Sequence, residues 1–173
     1  ALRLTRWWLA GPWKDDEEES LLLEPPFDPS ELKPRARAKV AKRDWERVTL
    51  PADRHVDLEL LTGKKGDDQL WLLVTRLDVS GSEPLEVLLW LQLDDGWDVL
   101  LDGQRVSRER RRGGRRFLDW SFPLRLGPGE HQLAVLVEDR KSMSTFGALL
   151  AGADNGAPPP GVREHPEPEE KDK

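Results

Sequence analysis

Leu93-Asp94-Asp95-Gly96-Trp97-Asp98-Val99-Leu100-Leu101-Asp102-Gly103-Gln104-Arg105-Val106 sets two Asp-Gly pairs on either side of one apolar run. Aspartate and glycine tolerate the positive φ that primed hairpin turns demand, so Asp95-Gly96 and Asp102-Gly103 are each predicted to fold the chain back on itself. The pattern marks a β-sandwich whose acidic corners serve turn geometry ahead of chemistry. It points to a binding or assembly module.

Working outward, Gln69 to Val79 is rich in Leu, Trp and Val over a length that suits a buried strand. Leu85 to Leu93, Trp97 to Leu101, Phe117 to Leu126 and Gln132 to Val137 follow as strands bounded by Gly, Pro or Asp. Upstream, Leu2 to Trp13 reads as a strand ending in a turn at Gly11-Pro12-Trp13, and Trp45 to Leu50 as a short strand. Val56, Leu58 and Leu60 alternate with His55, Asp57 and Glu59, which predicts a half-buried strand over His55 to Leu61. Regular strand spacing with turn residues between gives an all-β chain, an antiparallel sandwich of jelly-roll type.

Residues 14–44 read as an irregular excursion with one helical turn near Ser30 to Lys33, its Lys14 to Glu19 charge run a solvated loop. Residues 152–173, with Pro158-Pro159-Pro160 and a charged Pro-rich end, read as a flexible or disordered tail. The domain is therefore placed at 1–151. A chain of 173 residues can enclose one sizeable core, and its ends look too polar for a second.

Composition excludes several function classes. A net charge of -6 argues against a nucleic-acid partner, which selects a basic footprint. With no cysteine, disulfides, thiolate catalysis and Cys-rich zinc sites are ruled out. No apolar run is long enough to predict a membrane span. The absence of Met at position 1 suggests a processed or excised product. His55, His131 and His165 show no metal-ligand spacing, and neither a serine elbow nor a Gly-rich phosphate loop is found. No catalytic residue, metal site or cofactor is therefore assigned, and an enzyme is not expected. A structural calcium would suit clustered carboxylates, but no specific motif for one is present.

From Leu93 to Val106, and again from Leu124 through Gly127-Pro128-Gly129-Glu130-His131-Gln132-Leu133-Ala134-Val135 to Val137, the chain resembles galactose-binding-like jelly-roll modules. Relatives of this kind, often attached to large secreted bacterial proteins, show a strand, Asp-Asp-Gly, a strand ending in Asn-Gly or Asp-Gly, and a later Gly-x-His/Asn-x-Leu-x-Val strand. Gly11-Pro12-Trp13 and Phe146-Gly147-Ala148-Leu149-Leu150 match their opening and closing strands. The likeness covers about residues 7 to 150, with Asp102 where many relatives carry Asn. It implies eight to nine antiparallel strands, a non-catalytic accessory role in binding carbohydrate or related polyol surfaces, and an extracellular or periplasmic location. It implies no particular ligand residues.

Flat indole rings stack on apolar sugar faces while nearby polar groups fix hydroxyls, so Trp90, Trp97 and Trp120, with Asp94 and Asp95, are the candidate ligand contacts. Successive strand residues face opposite ways, so Asp94 and Asp95 cannot flank one bond. They and the Asp67-Asp68 pair read first as turn structure. Trp90 lies on the face of Leu88 and Gln92, whereas Trp97 shares a face with Val99 and Leu101 and caps the core. Trp7, Trp8 and Trp13 read as packing anchors that could also meet another domain. Arg108, Arg110, Arg111, Arg112, Arg115 and Arg116 form a basic loop suited to an anionic polysaccharide, a membrane headgroup or an acidic partner. The alternative function is a structural or protein-interaction domain that docks in a larger assembly through the Trp-rich first strand and this Arg-rich loop. The oligomeric state is left open.

Overall fold

Apolar periodicity of two over the middle of the chain produces strands, and the computed structural model describes them within residues 1–15, 20–93, 95–110, 118–140 and 144–165, with 118 and 119 as backbone only. In order they are β1 (Leu2–Arg3), β2 (Arg6–Lys14), β3 (Lys39–Val40), β4 (Arg43–Asp44), β5 (Glu46–Thr49) and β6 (Val56–Asp57). A short helix α1 (Leu58–Thr62) precedes β7 (Gln69–Val79), β8 (Leu85–Leu93), β9 (Gly96–Leu101) and β10 (Gln104–Glu109). The last four are β11 (Leu118–Leu126), β12 (Gly129–Asp139), β13 (Thr145–Gly152) and β14 (Val162–Glu164).

Two antiparallel sheets face one another among the described residues. One runs β1-β13-β8-β11, with β6 also on β13; the other runs β10-β9-β12-β7-β2-β5, with β14 also on β7. The all-β antiparallel sandwich expected from the sequence is present.

The two Asp-Gly pairs behave differently. Asp102 and Gly103 both hold positive φ, 51° and 79°, and join Leu101 to Gln104 in the hairpin of β9 and β10. Asp95 also holds a positive φ, 61°, but β8 and β9 belong to opposite sheets, so Asp95-Gly96 carries the chain across the sandwich. The expected hairpin there is corrected to a crossover. A second correction concerns His55 to Leu61, where only Val56–Asp57 is strand. Asp57 accepts the Glu59 backbone N–H at 3.0 Å, and Gly63 at φ 73° donates its N–H to the Glu59 carbonyl, so caps at both ends hold Leu58–Thr62 as a helix. Local capping outweighs the alternating pattern.

The excursion is not loose, because the seven-stranded sheet has a second apolar face that it packs against. In β7, Trp71, Leu73, Leu77 and Val79 enter the cluster between the sheets, while Leu70, Leu72 and Val74 enter a second cluster on the opposite face. β12 divides in the same way, Leu133, Val135 and Val137 against Ala134 and Leu136. That second face is covered by Leu22, Leu32 and Trp45, all buried, with Leu21, Phe27, Ala38, Val40 and Ala41 packed around them. The stretch is irregular as expected apart from its short β3–β4 hairpin, and it forms a third layer on the sheet. Part of the Pro-rich tail is also built in, since Val162–Glu164 pairs with β7 and Glu164 accepts the Thr5 and Arg6 backbone N–H groups at 2.5 and 2.7 Å.

If the third layer contributes core energy, Leu22→Ala should lower stability by about 2–5 kcal/mol in urea unfolding, the usual cost of emptying a buried leucine site. A loss below about 1 kcal/mol would mean that the layer lies on the sheet without packing into it.

Candidate functional site

The outer face of the seven-stranded sheet is occupied by the chain itself, and among the described residues no such layer covers the outer face of the other sheet. On β8 the odd-numbered Val87, Leu89, Leu91 and Leu93 are buried, so Leu88, Trp90 and Gln92 point outward. Trp90 is 38% exposed, large for an indole in the middle of a central strand. In register, Ser121 and Leu149 flank it, and Gly147 lies beside Gln92. Gly147 has no side chain for a close reason: a Cβ there would stand 2.7 Å from Gln92 Oε1, 3.0 Å from His55 Cβ and 3.3 Å from Arg3 Nη1. Arg3 Nη1 donates to Gln92 Oε1 at 3.2 Å. The exposed indole thus shares its face of β8 with an amide that a guanidinium holds, a flat apolar surface on the same strand as a donor and acceptor pair.

His55 also lines a hollow of about 630 Å³ with Leu50, Pro51, Val56, Leu60 and Leu61. Leu60 is 73% exposed and Leu61 40%. α1 buries only Leu58, and this leaves its two following leucines outward.

A different chemistry sits where β2, β9, β10 and β12 converge. Glu138 is fully buried, accepts from Ser20 Oγ at 2.5 Å and lies 2.9 Å from Arg140 Nη2 and 3.8 Å from Arg110 Nε. Arg140 also lies 3.5 Å from Asp15 and 3.5 Å from Asp68, and its backbone N–H donates to Asp95 Oδ2 at 2.8 Å. Gly96 is needed here because a Cβ would stand 2.9 Å from the Glu109 carbonyl. Burial, together with the hydrogen bond to Asp15, pushes the Glu138 carboxyl up to about 7. The cluster ties strand ends together.

A further link joins two turns: His131 Nδ1 is 2.6 Å from Asp102 Oδ2 and Nε2 is 2.6 Å from the Gly127 carbonyl. Both partners are acceptors, so the doubly protonated ring satisfies both. Burial opposes that charge, but Asp102 and Gly127 more than offset it and raise the His131 pKa.

The sequence-predicted residues are not gathered into one site. Trp90 alone of the three tryptophans lies on the open face. Trp97 is 1% exposed, its ring 4.7 Å from that of Trp120, which is half-buried against the core. Asp95 is buried in the strand-end cluster. Arg108 is exposed opposite Asp98 in the β9–β10 ladder, and Arg110 faces Glu138. Asp94, Arg111, Arg112, Arg115 and Arg116 lie outside the described residues. Trp7 and Trp13 are buried, and Trp8 lies half-buried with the Arg47 guanidinium 4.8 Å over its ring. Arg3, Gln92 and Gly147 had no local signal, because only strand pairing unites them. Pairing likewise brings Asp78, Glu130 and His165 within 4.8 Å of one another, but Arg163 and Arg76 lie 3.6 and 3.8 Å from the two carboxylates, which sets the local field against a cation.

No family model and no curated protein matches this chain. Solved structures share its fold. A β-glucuronidase of Faecalibacterium prausnitzii is similar with a TM-score of 0.52 and 16% identity, over 79% of this chain and 21% of that one. A glycosyl hydrolase family 2 member from Bacteroides cellulosilyticus DSM 14838 is similar with a TM-score of 0.50 and 10% identity, over 87% and 20%. The chain therefore spans about a fifth of the length of each. At these identities the likeness extends to the sandwich. Among the described residues no helix is long and apolar enough to cross a membrane.

Glu138 and His131 bear on pH in the same direction. Each is held above its ordinary value, 4.5 for Glu138 and 6.5 for His131, so the stability each adds is complete below that value and is lost as pH rises through the folded one. Urea midpoints should therefore fall between about pH 5 and 8. Glu138→Gln should flatten that slope, because an amide does not titrate. Parallel curves for the two proteins would remove Glu138 from the account.

Proposed function

We propose that this chain is a non-catalytic accessory module of galactose-binding-like jelly-roll type, which binds carbohydrate or related polyol surfaces on the open face of its four-stranded path β1-β13-β8-β11. The carrying observation is Trp90, exposed on a central strand on the same face as Gln92, which Arg3 and Gly147 adjoin. An indole in that position covers the apolar face of a sugar ring, and the neighbouring polar groups take its hydroxyls. The fold likeness to parts of a β-glucuronidase and a glycosyl hydrolase family 2 member supports a carbohydrate setting, with the module as one part of a longer chain. An extracellular or periplasmic location agrees with that role. Asp94 and the Arg-rich stretch from Arg108 to Arg116 are retained as candidate contacts.

Trp90→Ala should reduce retention on a glycan array by on the order of tenfold or more, while the variant still unfolds in one cooperative thermal transition. Equal retention by the variant, or no retained glycan for the wild type, would sink this reading.

A second reading, docking on a partner domain, is favoured by Leu60 and Leu61, whose exposure over the adjoining hollow is large for leucines. With Trp7 and Trp13 buried, this surface replaces the Trp-rich strand as the contact. In a longer chain carrying the module, Leu60→Asp together with Leu61→Asp should open the domain junction to protease. Unchanged protection would discard the docking reading.

A further inference from the structure

The third layer has a surface unlike the rest of the molecule. Between residues 33 and 47 it carries seven basic and two acidic side chains, which leaves 20 basic against 31 acidic residues for the remainder. All seven cations are exposed. Lys39 pairs with Asp44 at 3.3 Å. Lys33, Arg35, Arg37, Lys42 and Arg43 form no ion pair with another described residue. Five unpaired cations crowded on about fifteen residues repel one another and are costly to keep together without a counter-charge.

The same layer holds a cavity of about 380 Å³, within the size range of small-ligand sites. Phe27 and Trp45 supply aromatic wall, Lys33, Arg35 and Lys39 supply cations, and Asp28 and Glu31 supply carboxylates. The Ser30 hydroxyl and backbone N–H both donate to Asp28 Oδ1, at 2.6 and 2.9 Å, and hold that carboxyl below its ordinary value. Asp28 is thus an acceptor at neutral pH.

We propose that this cavity and the basic surface around it bind an anionic polysaccharide, one acidic sugar ring entering against Phe27, with the edge of Trp45 at the base of the cavity, while neighbouring units follow the cations. The ligand must offer three things together. Its apolar ring face meets the aromatic wall. Its carboxylate or sulfate meets Arg35, Lys33 and Lys39, arginine being able to make paired hydrogen bonds to either group. Its hydroxyls donate to Asp28 and Glu31. A nucleic-acid backbone or an acidic peptide presents acceptors where those two carboxylates also accept. A duplex wide enough to reach beyond the patch meets the acidic remainder of the chain as well. The site is on the opposite side of the sandwich from Trp90, so it stands whether or not the Trp90 face binds sugar.

The test uses the full chain against immobilised polygalacturonate, heparin, neutral dextran and a single-stranded DNA oligonucleotide in biolayer interferometry at several salt concentrations. The expected result is binding to polygalacturonate or heparin that weakens steeply as salt rises, and none to dextran. Preference for polygalacturonate assigns the anion as carboxylate, and preference for heparin assigns it as sulfate. The combined Lys33→Glu, Arg35→Glu and Arg43→Glu variant should lose binding by on the order of tenfold or more with an unchanged melting temperature, since all three side chains are exposed. Trp90→Ala should bind both anionic polymers as the wild type does. Failure to bind either polymer, undiminished binding by the triple variant, loss of binding in Trp90→Ala, or tighter binding to the oligonucleotide or dextran would each overturn the proposal.

Discussion

Strand β7 is apolar at every position from Leu70 to Val74, and all five of these side chains are buried. A strand of this kind cannot stand at the surface of a two-layer sandwich, because one of its faces would be left in water. Each buried aliphatic side chain stabilises the fold by about 1.5–3 kcal/mol relative to exposure, so a second cover is strongly favoured. The chain supplies it from residues 20–45, and the remaining architecture follows from that requirement.

The first consequence is asymmetry. The seven-stranded sheet has its own covering layer, while β8 and β13 of the other sheet present Trp90, Gln92 and Gly147 outward. The binding proposed for the open sheet rests on side chains fixed by strand pairing. The binding proposed for the covered side rests on the layer itself, which is built from turns and short strands and carries a concentrated positive charge. The two surfaces differ in chemistry because their backbones differ in origin.

The second consequence is the need to anchor a layer with little secondary structure. Its beginning is held at the strand ends, where Asp15 and Ser20 meet Glu138 and Arg140, and its middle by hydrogen bonds such as Gln132 Nε2 to the Leu32 carbonyl at 3.0 Å and Trp13 Nε1 to the Ala41 carbonyl at 3.1 Å. Gly103 permits a close approach, since a Cβ would stand 2.8 Å from the Ser30 carbonyl. Buried charges are costly unless they are paired, so joining the layer to the sheet through Glu138 and Arg140 makes the junction specific as well as stable.

By itself the sequence determined the strands from Gln69 to Leu101 and the hairpin at Asp102-Gly103, because side-chain alternation and the left-handed tolerance of Asp and Gly are local properties. It also determined that Trp90 faces away from Val87, Leu89 and Leu91, a matter of strand parity. Tertiary structure alone decided that Asp95-Gly96 crosses between sheets, since a turn dipeptide does not specify which strand the next segment will join. It decided that residues 20–45 form a layer, because Leu22, Leu32 and Trp45 are separated by prolines and charges and become a cluster only on the sheet that gathers them. Arg3, His55, Gln92 and Gly147 meet for the same reason: they are distant along the chain, and antiparallel pairing of β1, β6 and β8 with β13 is what makes them neighbours.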